Sequence, residues 1–310
     1  MLKTDEKVIY KAFGFSIISD IPMPELPNQD LKAEYIDVEI KIENLSRQWL
    51  DSVKDQNDFI INENLVMFRV PRIAIFLIKE GKRIIVSPLE EYDVDVARLY
   101  ILGSCMGALL MQRKIFPLHG SVIAINGKAY AIIGESGAGK STLASAFLNR
   151  GYQILTDDVI AISFSDGENI PYVTPSYPQQ KLWSESLLEF GIDTEGYRPL
   201  YKRETKYAIP VGSKFYSEPL PLAGVFELIR SKDENIEIFP IQKLTRLQTL
   251  FSHTYRNTLI SKLGLLDWHF RNSTSIVCKI DMYHLRRPVS SFTANQLVTL
   301  ILSTIHKEEK

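Results

Sequence analysis

The stretch Gly134-Glu135-Ser136-Gly137-Ala138-Gly139-Lys140-Ser141 constrains this chain more than any other. It satisfies the pattern G-x-x-x-x-G-K-[ST]. Glycines let the backbone turn tightly and aim its N–H groups at phosphate oxygens. The helix expected from Lys140 adds the positive end of its dipole. In this pattern the lysine, Lys140, reaches the β- and γ-phosphates, and the hydroxyl of Ser141, with Thr142 behind it, can ligate Mg²⁺. An apolar run, Ala129 to Ile133, reads as a strand leading into the loop. Lys140 to Arg150 reads as a helix closed by Gly151. Average residue frequencies put a chance match in a chain this long at roughly one in a hundred, and the strand–loop–helix context lowers it further. Gly134, Glu135, Ser136, Gly137, Ala138, Gly139, Lys140, Ser141 and Thr142 are therefore the expected binding residues for a nucleoside triphosphate, with ATP and Mg²⁺ as cofactors.

A pair of acids, Asp157-Asp158, ends the next apolar segment, Tyr152 to Leu155, only 16 residues after Ser141. A hard cation takes a carboxylate alongside phosphate oxygens. A second carboxylate can accept the proton of an attacking hydroxyl. Neighbours on an extended segment point apart, so two adjacent acids can divide these roles. Asp157 and Asp158 are both candidate catalytic groups, and Ser141 with Asp158 is the expected metal pair. No Leu-Ser-Gly-Gly-Gln segment follows, which argues against a transporter ATPase.

Composition sets the remaining bounds. The 310 residues carry a net charge of −1, so no global field draws the chain to nucleic acid or acidic lipid, and any anion needs a local site. Neither nucleic acid nor membrane is expected as a partner. The two cysteines, Cys105 and Cys278, make no disulfide framework and no metal-ligand spacing, and read as buried thiols in a reducing cytoplasm. The charged segment Met1 to Lys7 lacks a signal-peptide pattern. Leu99 to Met111 is too short to cross a bilayer and reads as a buried helix.

Residues 1–115 read as a β-rich region closed by a helix over Val94 to Lys114. Its strands include Tyr35 to Ile42, Leu65 to Val70, Ala74 to Lys79 and Arg83 to Val86. Residues 116–310 read as the nucleotide-binding domain. There Ser121 to Ile125 and Ala129 to Ile133 flank an Asn126-Gly127 hairpin turn. Residues 170–222 read as loops and short helices, and Val225 to Arg230 and Ile236 to Phe239 as strands. Leu244 to His269 reads as largely helical, Ser275 to Met282 as strand-like, and Ser290 to Ile305 as a terminal helix.

The order His119-Gly120, strand, Asn-Gly turn, strand, phosphate loop, helix, Arg150-Gly151-Tyr152, strand, Asp157-Asp158 resembles the catalytic domain of the HPr kinase/phosphorylase family over about residues 116–163. More weakly, Tyr10 to Pro27, Leu99 to His119, His253-Thr254-Tyr255-Arg256 and Leu285-Arg286-Arg287-Pro288 resemble a subgroup that includes tailoring kinases of lasso-peptide clusters. The resemblance implies an α/β fold with a mixed sheet carrying a P-loop, like the HPr kinase C-terminal domain and phosphoenolpyruvate carboxykinase. It implies that Asp157 or Asp158 is the general base, and that His119 lies near the transferred phosphate. The long glycine-containing segment that bifunctional members carry after the acid pair is missing, which puts HPr as substrate and the reverse phosphorolysis in doubt.

Phosphoryl transfer also needs positive charge at the γ-phosphate. Arg203, Lys206 and Arg256 are the leading candidates, with Lys181 and Arg287 beside them, and Tyr177-Pro178 and Trp183 could wall a base or peptide. The expected activity is ATP-dependent phosphorylation of a serine hydroxyl on a peptide or small protein, the C-terminal serine of a lasso-peptide precursor above all. The alternatives are a kinase of a small-molecule alcohol and a regulatory nucleotide-binding ATPase. The resemblance allows an oligomer.

Overall fold

The computed structural model describes residues 8–29, 35–52, 59–197, 199–200 and 203–308, and the side chains of Ser52, Arg203, Glu204 and Glu308 lie outside that description. Met1 to Lys7 and Lys202 also lie outside it. Backbone contacts divide the chain into two compact units. One is Met1–Phe116 with Thr258–His269, and the other is Pro117–Asn257 with Phe270–Lys310. Thr258–His269, which a division at 115/116 gives to the second region, therefore clusters with the first.

The first unit is built on β1 (Ile9–Ala12), β2 (Phe15–Ser19), β3 (Asn28–Gln29), β4 (Val38–Ile42), β5 (Phe59–Asn62), β6 (Leu65–Val70), β7 (Ala74–Lys79) and β8 (Arg83–Pro88). They form one sheet in the order β3-β1-β2-β4-β8-β7-β6-β5. Ala74 to Ile78 are all buried, whereas β4 alternates in and out, as a half-buried strand should. Residues 35–37, expected as strand, precede β4 as irregular chain. The helix Val94–Gln112 starts at Asp93, whose carboxylate accepts from the Asp95 and Val96 amides, and passes through a π-helical turn at Ile101–Cys105. Its length and composition would allow a membrane span, but 67 % of that apolar window is buried in the structure.

The second unit holds β9 (Phe116–Ile125), β10 (Lys128–Ile133), β11 (Gln153–Phe164), β12 (Pro171–Thr174), β13 (Gln179–Trp183), β14 (Pro199–Leu200), β15 (Arg203–Pro210), β16 (Leu220–Ser231), β17 (Glu237–Pro240) and β18 (Asp281–Pro288). The main sheet runs β10-β9-β11-β12-β16-β18-β17 and curls until β16 pairs with β12 and with β10. β10, β16 and β18 are parallel and the other pairings that flank them are antiparallel, so the sheet is mixed and the unit α/β. Asn126 and Gly127 both take positive φ, the geometry a tight β9–β10 hairpin demands. The helices Lys140–Asn149 and Ala294–Glu308 cover the sheet through Leu143, Phe147, Phe226, Leu297 and Ile301.

Several expectations change here. Residues 170–222 are not mainly loops. They contain β12 and a separate sheet, β13-β15-β14, with its own core of Leu182, Leu187 and Ile209. Proline and charged residues disguise these short strands. The helical stretch from Leu244 is broken into Thr245–Ser252, Thr258–Lys262 and Leu266–Val277. Ser275–Val277 belongs to the last of these helices, and strand begins only at Asp281. The terminal helix starts at Ala294. Cys105 is buried as expected, but Cys278 lies just past a helix end and is exposed.

Candidate functional site

The phosphate loop leaves β10 at Ile133, which pairs with Glu227 of the parallel β16. The register therefore sets the loop against the last residues of β16. Gly134 has φ +147°, and a Cβ there would stand 2.5 Å from the Leu228 carbonyl oxygen. Gly137 and Gly139 also take positive φ, 81° and 104°. Gly139 caps the helix that begins at Lys140. Lys140 is buried, and its ammonium donates to the carbonyls of Gly134 (2.8 Å) and Glu135 (3.1 Å), so it arches back across the loop. Burial lowers its pKa, against the pull of Asp157 and Asp158.

Asp157 and Asp158 lie together within β11, not at a strand end. Thr156 donates its hydroxyl to the Val159 carbonyl (2.5 Å), and Asp158 takes φ +81° between them. An ordinary strand would send these neighbours to opposite faces. With the left-handed residue in place, both carboxylates meet Lys181 of β13. Its backbone amide donates to Asp157 Oδ2 (2.8 Å), and its ammonium donates to Asp158 Oδ2 (2.6 Å).

The two acids are otherwise distinct. Asp157 is buried and accepts at Oδ1 from the hydroxyls of Ser121 (2.6 Å) and Ser141 (3.0 Å). Asp158 faces His119, whose Nδ1 lies 2.9 Å from the Asp158 carbonyl and 3.4 Å from its carboxylate. Burial alone would raise the Asp158 carboxyl, but Lys181, His119 and Lys206 hold it well below the usual range. Burial likewise opposes the Lys181 charge, yet Asp158 raises that ammonium above its ordinary value. Burial lowers the His119 imidazole. Of the residues expected to hold the metal, Ser141 hydrogen-bonds to Asp157, while Asp158 is engaged with Lys181.

His119 is fixed from behind. Its amide donates to the His253 carbonyl (2.8 Å), the Tyr255 amide donates to the Pro117 carbonyl (3.0 Å), and the Tyr255 ring lies 5.7 Å from the imidazole. His253 is itself held by Glu227, 2.8 Å from its Nε2. Gly120 completes the pair with His119 because a Cβ there would collide with the Ile132 carbonyl of β10.

The remaining cations separate into two groups. Lys206 pairs in register with Trp183, lies 5.4 Å from its ring, and acts electrostatically on both Lys140 and Asp158. Arg256 sits 5.7 Å from the Tyr255 ring at the His119 end, and Tyr177 is buried. Arg203 lies in β15, with its side chain outside the described residues. At the other end of the loop, Arg287 donates from Nε to the Ala138 carbonyl (2.8 Å). Its register partner, Arg230, approaches Gly137. Sequence reasoning missed Ser121 and Arg230. Neither stands in a motif, and only strand register brings them to the loop.

An HPr kinase/phosphorylase of Nitrosomonas europaea is 28 % identical over 154 residues, 47 % of this chain and 48 % of that protein. One from Prosthecochloris aestuarii is 26 % identical over 135 residues, 41 % and 39 %. One from Clostridium botulinum is 44 % identical over 62 residues, 19 % and 20 %. Over these stretches the chain is similar to HPr kinase/phosphorylases. The matches span less than half the length of these HPr kinase/phosphorylases. A solved structure of the Hpr(Ser) kinase/phosphatase from Coxiella burnetii aligns with a TM-score of 0.35 at 16 % identity, covering 63 % of this chain and 99 % of that one. No family model matches the chain.

Proposed function

We propose that this HPr kinase-like chain is an ATP-dependent kinase that phosphorylates a serine hydroxyl on a peptide or small protein. The observation that carries the reading is the pair of hydrogen bonds on Asp157 Oδ1 from Ser121 and Ser141, set beside a second carboxylate, Asp158, held against His119. A mere nucleotide binder has little need for that second acid.

The Ser141 hydroxyl and Asp157 Oδ1, 3.0 Å apart at the first turn of the P-loop helix, are hard oxygen donors suited to Mg²⁺. A divalent ion bound there neutralises phosphate charge. Lys140 and the loop amides hold the β- and γ-phosphates. Asp158 accepts the proton of the acceptor hydroxyl. A carboxylate held below its usual range is a weak base, and a weak base suffices where transfer depends on positioning and charge more than on early proton removal. His119 fixes Asp158 from the Tyr255 side. Lys181 and Lys206 supply positive charge from β13 and β15, the segment in which this chain departs most from the family pattern.

The HPr kinase/phosphorylases named above act on HPr by their names, and a peptide acceptor for this chain extends that chemistry. The C-terminal serine of a lasso-peptide precursor is the proposed acceptor, supported by the residues around Tyr10 to Pro27 and His253 to Arg256. The reaction would take place in the cytoplasm, where ATP is supplied. Incubation with γ-labelled ATP, a precursor peptide ending in serine, and a panel of small alcohols tests this. Label in the peptide is expected. Label in an alcohol alone replaces the acceptor, and label only in inorganic phosphate removes the kinase reading.

A further inference from the structure

A cavity of about 310 Å³ opens beside the phosphate loop, with neither Asp157 nor Asp158 in its lining, and none of the chemistry above uses it. Gly139 and Thr142 form one wall, Glu185 and Glu189 a second, and Arg287 and Thr293 a third. All belong to the second unit. Its size falls at the lower end of the roughly 300–1,000 Å³ of small-molecule sites.

Three features point to one kind of occupant. The first is continuity with the loop. Lys140 marks the β/γ end of a bound triphosphate, and the chain of phosphates runs along the loop and first helical turn. Gly139 and Thr142, on either side of Lys140 and Ser141, both line the cavity, so it adjoins the course left for the rest of the nucleotide. The second is an unsatisfied group. Thr293 is 5 % exposed and lines the cavity, yet its buried hydroxyl has no hydrogen-bond partner. A buried hydroxyl left unpaired costs free energy, and such groups in native structures commonly await a ligand or water. The third is the rim. Glu185 and Glu189 stand one helical turn apart on Ser184–Glu189, both exposed, so two acceptor carboxylates face the same opening. They would repel a phosphate and suit a donor of two hydroxyls. Phe292 also lines the cavity and is braced edge-on by Phe190, with ring centroids 5.5 Å apart.

We infer that this cavity is the nucleoside subsite: Glu185 and Glu189 take the ribose 2′- and 3′-hydroxyls, and the Thr293 hydroxyl and the Phe292 ring take the base. The site therefore selects ribonucleoside triphosphates through sugar and base, not through the phosphates alone. This rests on the reading of the loop as a triphosphate site.

Calorimetric titration of the full chain with Mg²⁺ and three probes separates the two. The probes are ATP, 2′,3′-dideoxy-ATP and inorganic tripolyphosphate. Unmodified protein is expected to bind ATP about tenfold or more tightly than either of the others, the loss that follows when hydrogen bonds to charged groups go unmade. In the double variant Glu185→Ala/Glu189→Ala, ATP should fall to the dideoxy level while tripolyphosphate binding stays. Thr293→Val should weaken ATP and dideoxy-ATP together and leave tripolyphosphate unchanged. Ser291→Trp, at an exposed position on the rim, should exclude both nucleosides without touching the core. Equal affinity for ATP and tripolyphosphate, or indifference of ATP to the glutamate pair, overturns the subsite and leaves the loop reading standing. Failure of all three probes to bind overturns both.

Discussion

Replacing Lys181 by methionine isolates the energetics of the acid pair. The Lys181 ammonium lies 2.6 Å from Asp158 Oδ2, with side chains 9 % and 21 % exposed. Methionine keeps much of the packing and removes the charge, so Asp158 is left in a buried position with Lys206 as a remaining positive neighbour and with His119, whose lowered imidazole is uncharged near neutral pH. Removing one member of a buried pair costs about 3–5 kcal/mol. Asp158 retains some access to solvent and can take up a proton, so the lower end, about 3 kcal/mol, is expected. In a unit of this size each kcal/mol moves Tm by about 2–4 °C, giving a drop of about 6–12 °C near neutral pH. Scanning calorimetry of the parent, Lys181→Met, Asp158→Asn and the double variant reads it. The double variant should lose less than the sum of the singles, with a coupling of about 1–3 kcal/mol. The pH dependence gives a second check. In the parent the Asp158 carboxyl is depressed, so the stability it adds is present above the unfolded carboxylate value of about 4 and is lost as pH falls through the lower folded value. In Lys181→Met burial dominates and pushes that carboxyl up, so the folded variant holds the proton more tightly than the unfolded chain, and its deficit against the parent is largest near neutral pH and shrinks as pH falls. A Tm within about 2 °C of the parent, with parallel pH profiles, would refute the reasoning.

Three further outcomes follow from the same geometry. Lys140→Ala should leave the fold intact by circular dichroism and remove nucleotide affinity or turnover, because its ammonium crosses the loop at Gly134 and Glu135. Gly134→Ala should lower stability by about 1–3 kcal/mol in denaturant titrations and abolish ATP binding, since its Cβ would lie 2.5 Å from the Leu228 carbonyl at φ +147°. Asp157→Asn should lower kcat by about a hundredfold or more with the peptide acceptor, more than it raises KM for ATP, because Ser141 loses its charged partner while the loop amides remain.

The phosphate loop and the acid pair were legible in the sequence because their chemistry is local. Gly134 to Thr142 carries its turn, its helix start and its lysine within nine consecutive residues. Which acid does what was not legible. Asp157 and Asp158 look equivalent on paper, and only the left-handed φ of Asp158 and the Thr156–Val159 hydrogen bond turn both towards Lys181 while giving Ser141 to Asp157 alone. Lys181 itself looked like one of several loop cations, because the short strands β13 to β15 carry proline and charge instead of an apolar alternation.

The amino-acid order alone thus determined that a strand feeds a glycine-rich anion cradle and a helix, with two carboxylates one strand later, because backbone conformation and dipole direction depend on neighbours in the chain. It did not determine that Arg230 and Arg287 flank the cradle, that Ser121 shares Asp157 with Ser141, or that Thr293 is left facing a cavity. Those placements depend on β16 and β18 running parallel to β10 and on the sheet curling back upon itself. Pairings between strands about ninety residues apart are decided by the packing of the whole unit, and no local pattern encodes them.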